Sequence, residues 1–447
     1  MTAFPGSDDS AAAVRGTVLV CLTAVFAGAV IGFVGGAFRW CLQQAEALRV
    51  DIAEWAHRLP GPGWLIPIAA AAAAAMLAAL IVRWEPLAAG SGIQHVEAVF
   101  RGIAEPPLLR LLVAKFVGGV LAIGSGLVLG REGPTVHMGA AVGAEAARRA
   151  RLPDTDVRMM QSALGGAGLA VAFNAPLAGT LFTAEEVTRS FRLQTVLATL
   201  FASAAAVGCS RLILGNHAAF AVEPVAAPDL AWLPLFVVFG LLTGLLGAFY
   251  NRVVLWFLDH VAALPRVSTV TKAAVIGGIV GLALYVDPLT VGDGDTLTQM
   301  LIGGHSVVLP VVVGYLALRF VSGPLSYSAA VPGGLFAPLL AVGALWGVLF
   351  AGGFDAAWQG DVADLAVPMA VVGMAAFFGA TVRAPLTGMT IVIEMTATTS
   401  VAVPMLAATA AAVLAAFLTG SPPIYDSLRD RLLTASAATG GDVPKGL

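Results

Sequence analysis

The chain has 447 residues, 58% of them hydrophobic and only 11% charged, with a mean hydropathy of +0.89 and a formal net charge of −3. Soluble proteins carry about 25% charged residues, so this composition excludes a soluble globular domain and identifies an integral membrane protein. Apolar runs of about 17–25 residues favour helices over the alternating strands of a barrel, and charges scattered over loops argue against nucleic acid as a partner.

In chain order, residues 1–15 read as a cytoplasmic N-terminal segment. They carry Asp8 and Asp9 without a basic stretch, and the apolar run that follows exceeds a signal-peptide core, so it reads as a retained first span. Long helices are predicted at 16–42, 64–84, 107–123, 193–214, 231–259, 268–286 and 403–419. Shorter pieces, separated by Gly-rich or Pro-containing breaks, are predicted at 90–102, 131–148, 157–173, 176–189, 310–322, 333–351, 365–380 and 385–398. These read as too short to span. In hydrocarbon, broken backbone survives only where protein buries it or it lines a watery cavity, so the short pieces mark a pathway. After Tyr425 only a short polar tail is predicted. Cys21, Cys41 and Cys209 are scattered in apolar segments and the six His residues lack ligand spacing, so neither a disulfide framework, a zinc site nor any other cofactor is expected.

The chain repeats itself. Gly130, Pro134, Gly139, Ala140 and Gly143 recur as Gly334, Pro338, Gly343, Ala344 and Gly347, a shift of 204 (334 − 130), while Arg131 and Glu132 become Leu335 and Phe336. The segment 174–185 recurs at 383–394, a shift of 209 (394 − 185). The reading is therefore all-α and polytopic, with two inverted-topology repeats and many tilted, broken and re-entrant helices. The expected divisions are 1–15, a first membrane repeat at 16–217, a loop at 218–230, a second repeat at 231–433 and a polar tail at 434–447.

Arg148, Arg149, Arg151 and Arg158 cluster in one loop and Arg189 and Arg192 in another, which places both loops in the cytoplasm by the positive-inside rule. A helix from Glu132 to Arg148 is about 24 Å long, so Glu132 lies far from the cytoplasm and Glu185 and Glu186 near it. A carboxylate at bilayer depth costs about 2.5–3.5 kcal/mol or more and is by default functional. Two carboxylates at different depths suggest a proton route. Gly90-Ser91-Gly92-Ile93 before a short helix offers backbone N–H groups and a hydroxyl at a positive helix end, a ready anion site.

Taken in order, Gly90-Ser91-Gly92-Ile93-Gln94, Gly130-Arg131-Glu132-Gly133-Pro134 and Gly334-Leu335-Phe336-Ala337-Pro338, together with the segments 174–186 and 383–396 and the late Pro423-Ile424-Tyr425, resemble the CLC family of chloride channels and chloride/proton exchangers. The resemblance implies a chloride held by the hydroxyls of Ser91 and Tyr425 and the amides of Leu335 and Phe336. Around it lie the filter backbone of Gly90, Gly92, Ile93, Gly130, Arg131, Gly133 and Gly334. It implies that Glu132 is the gate, competing with chloride when ionised and swinging away when protonated, and that Glu186 hands protons to it from the cytoplasm. Glu185, like its repeat counterpart Glu394, is expected to be structural. Lys115 and Glu97 either pair, or Lys115 raises the local potential for anions. The acid at Glu186 favours proton-coupled exchange over the alternative, a passive channel. The resemblance further implies a homodimer with one pathway per subunit in a bacterial inner membrane, with chloride, protons and the bilayer as partners.

Gln94 stands where the family usually has proline, which bears on anion selectivity, while Ser91 argues for chloride over nitrate and the Gly-Ser-Gly pattern argues against fluoride. An intramembrane aspartyl protease is the rival from another class, through Gly292-Asp293-Gly294-Asp295 and Tyr425-Asp426. Its motif order is reversed here, and Gly292–Asp295 reads more simply as a turn. With no Walker A sequence and no His-Glu-x-x-His, no enzyme is expected and energy must come from ion gradients.

Overall fold

The computed structural model describes residues 7–222, 227–264, 266–305, 307–358 and 365–438. The expected segments at 1–15, 218–230 and 434–447 thus fall partly outside the described residues. Eight helices form the first half: α1 (Ser7–Arg58), α2 (Leu65–Trp84), α3 (Ile93–Phe100), α4 (Arg110–Gly124), α5 (Glu132–Arg149), α6 (Asp154–Phe173), α7 (Pro176–Phe182) and α8 (Leu193–Leu214). Eight more follow: α9 (Leu233–Ala262), α10 (Thr269–Val286), α11 (Asp295–Ile302), α12 (Leu309–Tyr327), α13 (Phe336–Ala357), α14 (Ala366–Val382), α15 (Pro385–Thr396) and α16 (Ala402–Leu418). A final helix, α17 (Ile424–Ala438), stands outside this scheme. Seven of the helices are long and apolar enough to cross a membrane, so the protein is multi-pass.

Small residues set the packing, because close backbone approach replaces hydrophobic driving force between helices in lipid. Gly139 and Gly143 on α5 lie against the backbone of Leu164 and Met160 on α6, and Gly343 and Gly347 on α13 lie against Gly373 and Met369 on α14. The two interfaces match at the same shifts, 204 for the glycines and 209 for their partners (373 − 164). Likewise Gly28 and Gly32 of α1 meet Ala202 and Ala206 of α8, while Gly240 and Gly244 of α9 meet Ala408 and Ala412 of α16. α1, α5, α6 and α8 therefore each have a counterpart eight elements on, in α9, α13, α14 and α16. α5, α6 and α14 are buried along almost their whole length and form the centre, while the outer helices present apolar side chains such as Phe26, Phe201 and Phe249 to lipid.

Four sequence expectations are corrected. The first helix starts at Ser7 and runs 52 residues, well past position 42, because no Pro lies within it and the Glu46–Arg49 and Glu54–Arg58 pairs support its polar end. α12 and α13 are long enough to span, unlike the short pieces expected there: Pro310 sits in the first turn of α12, where it breaks no bond, and Pro324 lies close to the helix end. The turn expected at Gly292–Asp295 gives way within the motif to a helix, α11, which starts at Asp295 directly after left-handed Gly292 and Gly294. The polar stretch after Tyr425 is helical to Ala438 rather than a simple tail, and its polarity is explained by the ion pairs described below.

Candidate functional site

The three glycine-rich motifs meet, and the backbone itself joins them. Gly130 and Gly334 exchange two N–H···O bonds of 2.7 Å in an antiparallel bridge. Gly90 donates to Val331 O and accepts from Gly333 N, both at 3.1 Å. α3, α5 and α13 all start within these motifs, so three positive helix ends face one region, and their first-turn N–H groups have no acceptor inside their own helices. α5 and α13 begin at the same bridge. Two glycines are obligatory here for reasons of space: a side chain at Gly133 would overlap Ser91, and Gly92, at φ +91°, has the His137 imidazole where its side chain would be.

Side chains complete the region. Ser91, Leu335, Phe336 and Tyr425 are fully buried. The Phe336 and Tyr425 rings lie 5.5 Å apart, and Phe182 and Phe378 meet Phe336 edge-on at 5.9 and 4.6 Å. The hydroxyls of Ser91 and Tyr425 are both buried with no hydrogen-bond partner among the described residues. Both carboxylate oxygens of Glu132 are buried and likewise unpartnered, and the group folds over Gly130 beside the Ala337 amide at the start of α13. Buried polar groups are normally satisfied, so two idle donors and one idle acceptor beside helix N-termini point to a site for an exchangeable anion. Tyr425 lies within electrostatic reach of Glu132 on one side and Glu186 on the other.

Glu186 does not join this group. It sits on a single π-helical turn, Thr183–Val187, that follows α7, 3% exposed and with Oε1 unpartnered. Around it Glu97, Arg101, Arg189, Asp426 and Arg429 form an ionic cluster: Arg429 bonds Glu97 at 2.6 Å and Asp426 at 2.8 Å, and Arg189 bonds Asp426 at 2.6 Å. α17 thus carries Tyr425 to the region of Ser91 and Phe336 and, within the next turn of the same helix, Asp426 and Arg429 to the inner cluster.

Lys115 and Glu97 do not pair. Lys115 Nζ donates to the carbonyls of Gly90 (2.7 Å) and Ser91 (3.2 Å), occupying oxygens that would otherwise repel an anion. Its repeat counterpart Arg319, 204 positions on (319 − 115), donates to the carbonyls of Val291 (2.9 Å) and Gly292 (3.3 Å). Glu185, by contrast, is structural as expected, capping α15 through Leu386 N and Thr387 N. Arg131 does not pair with Glu132 either. It binds Asp293 (2.9 Å) and Asp295 (2.7 Å) and donates from Nε to Ala172 O (3.0 Å). With both aspartates committed to Arg131 and Asp426 to arginines, no protease dyad is formed by these residues.

Asp293 and Asp295, which hold Arg131 beside Glu132, were left by the sequence reading as part of a turn. A signal was present: Gly292-Asp293-Gly294-Asp295 repeats the frame of Gly90-Ser91-Gly92-Ile93 at a shift of 202 (292 − 90), with positive φ at all four glycines. Two further features were missed. His95 Nδ1 and His137 Nε2 form a buried pair at 3.0 Å behind Gly92. Tyr327, at the end of α12, accepts from Ser91 N at 3.4 Å and lies beside the Gln94 side chain.

Residues 72–416 match the family described as voltage gated chloride channel. The chain is 36% identical over 445 residues to the H(+)/Cl(-) exchange transporter ClcA of Vibrio parahaemolyticus serotype O3:K6 (strain RIMD 2210633), which covers 95% of this chain and 92% of that protein. It is 34% identical over 427 residues to the H(+)/Cl(-) exchange transporter ClcA of Cronobacter sakazakii (strain ATCC BAA-894), covering 94% and 91%. It superposes on the crystal structure of a slow cyanobacterial Cl−/H+ antiporter with a TM-score of 0.88 and 29% identity, over 93% of this chain and 98% of that one. A eukaryotic CLC transporter shares the fold with a TM-score of 0.76 and 23% identity, over 92% of this chain and 74% of that one. With the family model matching residues 72–416 and a relative 36% identical over nearly the whole chain, the protein belongs to the voltage-gated chloride channel, or CLC, family.

Proposed function

We propose that this protein exchanges chloride for protons across a bacterial inner membrane, as a homodimer in which each subunit has its own pathway between repeats 16–217 and 231–433. The observation that carries the reading is the unpartnered, buried Glu132 carboxylate beside the unpartnered hydroxyls of Ser91 and Tyr425. Chloride sits between those hydroxyls and the amides of Leu335 and Phe336. Partial charges of this kind replace hydration without the deep trap an opposed lysine would make, so the ion can leave. The Gly90, Gly92, Ile93, Gly130, Arg131, Gly133 and Gly334 backbone shapes the remaining path.

Glu132 competes for the same amide-lined space. Ionised, it occupies the path at the positive ends of α5 and α13. Protonated, it loses that attraction and swings aside, so proton and chloride occupancy alternate. Glu186 passes protons between the inner face and this gate. Its burial without a full set of hydrogen bonds beside Glu97 and Asp426 favours this role over a solvated helix-end acid. The same feature favours exchange over a passive channel.

The test uses purified protein in sealed vesicles. A chloride gradient should drive protons uphill, and Glu186→Gln should abolish proton movement while chloride still crosses. Chloride flux by the wild-type protein with no linked protons would leave the channel reading standing instead.

A further inference from the structure

A second set of cations lies on the side of Glu132 remote from the arginine-rich loops. Arg39 near the middle of α1 and Arg211 at the end of α8 line a polar cavity of about 210 Å3 with Gln43, Asn174 and His217. α1 and α8 run parallel, with Gly36 against Ser210, and α8 starts just after Arg192, so the cavity lies at the outer end of α8. It adjoins the gate: Arg131, the residue before Glu132, donates to Ala172 O two residues before Asn174.

Among the described residues neither arginine forms an ion pair, although Glu394, whose carboxylate caps α7, lies within electrostatic reach of Arg211. Arg211 Nε is held by an amide, Asn174 Oδ1, at 2.9 Å, and Asn174 Nδ2 is fixed in turn by His217 O at 2.7 Å. Arg39 Nε is buried with no hydrogen-bond partner among the described residues. The carboxylates within electrostatic reach of Arg39 are Asp293 and Asp295, and both are bound to Arg131. A buried guanidinium N–H is costly to leave idle, and oriented arginines in a low-dielectric recess concentrate anions.

We infer that this cavity is an anion-capture site ahead of Glu132, taking a small monovalent inorganic anion between Arg39 and Arg211 and supplying it to the gate. That the anion is chloride on its way through the protein rests on the transport reading above. Arg39 and Arg211 contribute charge and donors to capture, while Asn174 is a positioning residue for Arg211.

Bromide, which scatters anomalously, tests the site directly in crystals of the full chain. A peak is expected between Arg39 and Arg211 in the wild type and none in Arg39→Gln. A cavity without a peak overturns the inference, whereas absence of bromide only beside Ser91 and Tyr425 counts against the transport reading and leaves this site intact. In vesicles, Arg39→Gln should raise the half-saturating outer chloride concentration about threefold or more, with the proton-to-chloride ratio and maximum rate unchanged. Arg39→Lys should restore most of the loss, which a purely structural role for the guanidinium would not predict. An unchanged half-saturating concentration in Arg39→Gln also overturns the inference.

Discussion

Glu185 and Glu394 exchange helix caps between the two halves of the molecule. Glu185, after α7, accepts from Leu386 N (3.1 Å) and Thr387 N (2.8 Å) at the start of α15. Glu394, near the end of α15, accepts from Leu177 N (3.1 Å) and Ala178 N (2.8 Å) at the start of α7. The two helices therefore run antiparallel, each satisfying the other's orphan donors. Replacing either acid by Gln should cost about 1–2 kcal/mol of stability, by about the same amount at both positions. Thermal unfolding in detergent measures this, and a loss at only one position would show that the caps are not equivalent.

Arg131 is 6% exposed and held by two aspartates on a distant turn. Asp295→Asn should be tolerated, because Asp293 remains. Asp293→Asn with Asp295→Asn leaves a buried guanidinium unpaired and should cost about 3–5 kcal/mol. Chloride turnover should fall with it, since Arg131 fixes the start of α5; turnover of the double variant at the wild-type level would dissociate this latch from transport.

Tyr327 supports the glycine-rich turn before α3, beside Gln94. Tyr327→Phe removes the oxygen that Ser91 N faces at 3.4 Å. The expected effect is about 1 kcal/mol in discrimination between anions, or about fivefold in the chloride-to-nitrate flux ratio. Adding Gln94→Pro should recover selectivity by stiffening the turn through the backbone. A Tyr327→Phe protein with unchanged selectivity would assign the phenol to packing alone.

Lys115 and Glu97 act on different structures. Lys115→Met frees the Gly90 and Ser91 carbonyls and should weaken chloride binding about tenfold. Glu97→Gln should loosen α17 through Arg429 instead. Calorimetric chloride titration of both single variants and the double should give effects additive to within about 0.5 kcal/mol. Larger coupling would restore the paired reading.

The broken helices and most helix boundaries are legible in the sequence because Gly and Pro punctuate apolar runs, and α8 is bounded at 193–214 in both readings. The three glycine-rich motifs that meet through the Gly130–Gly334 and Gly90–Val331 contacts were legible as well, since each is a contiguous string. What sequence alone concealed depends on distant chain segments coming together: Arg131 and Asp295 are 164 positions apart, and Glu97 and Arg429 are 332 apart. α17 escaped for a related reason. Its charges look like those of a solvated tail until Glu97, buried on α3, supplies their partner.

The Gly130–Gly334 bridge has a consequence for ancestry. One half of the present chain would build only one wall of the conduit, with its glycine groups at 130 or 334 left bare. A primordial single-length polypeptide could have closed that wall only by meeting a second copy threaded the opposite way through the bilayer. With both walls in one polypeptide their equivalent positions are free to differ, and here one wall has an acid, Glu132, where the other has a phenyl ring, Phe336.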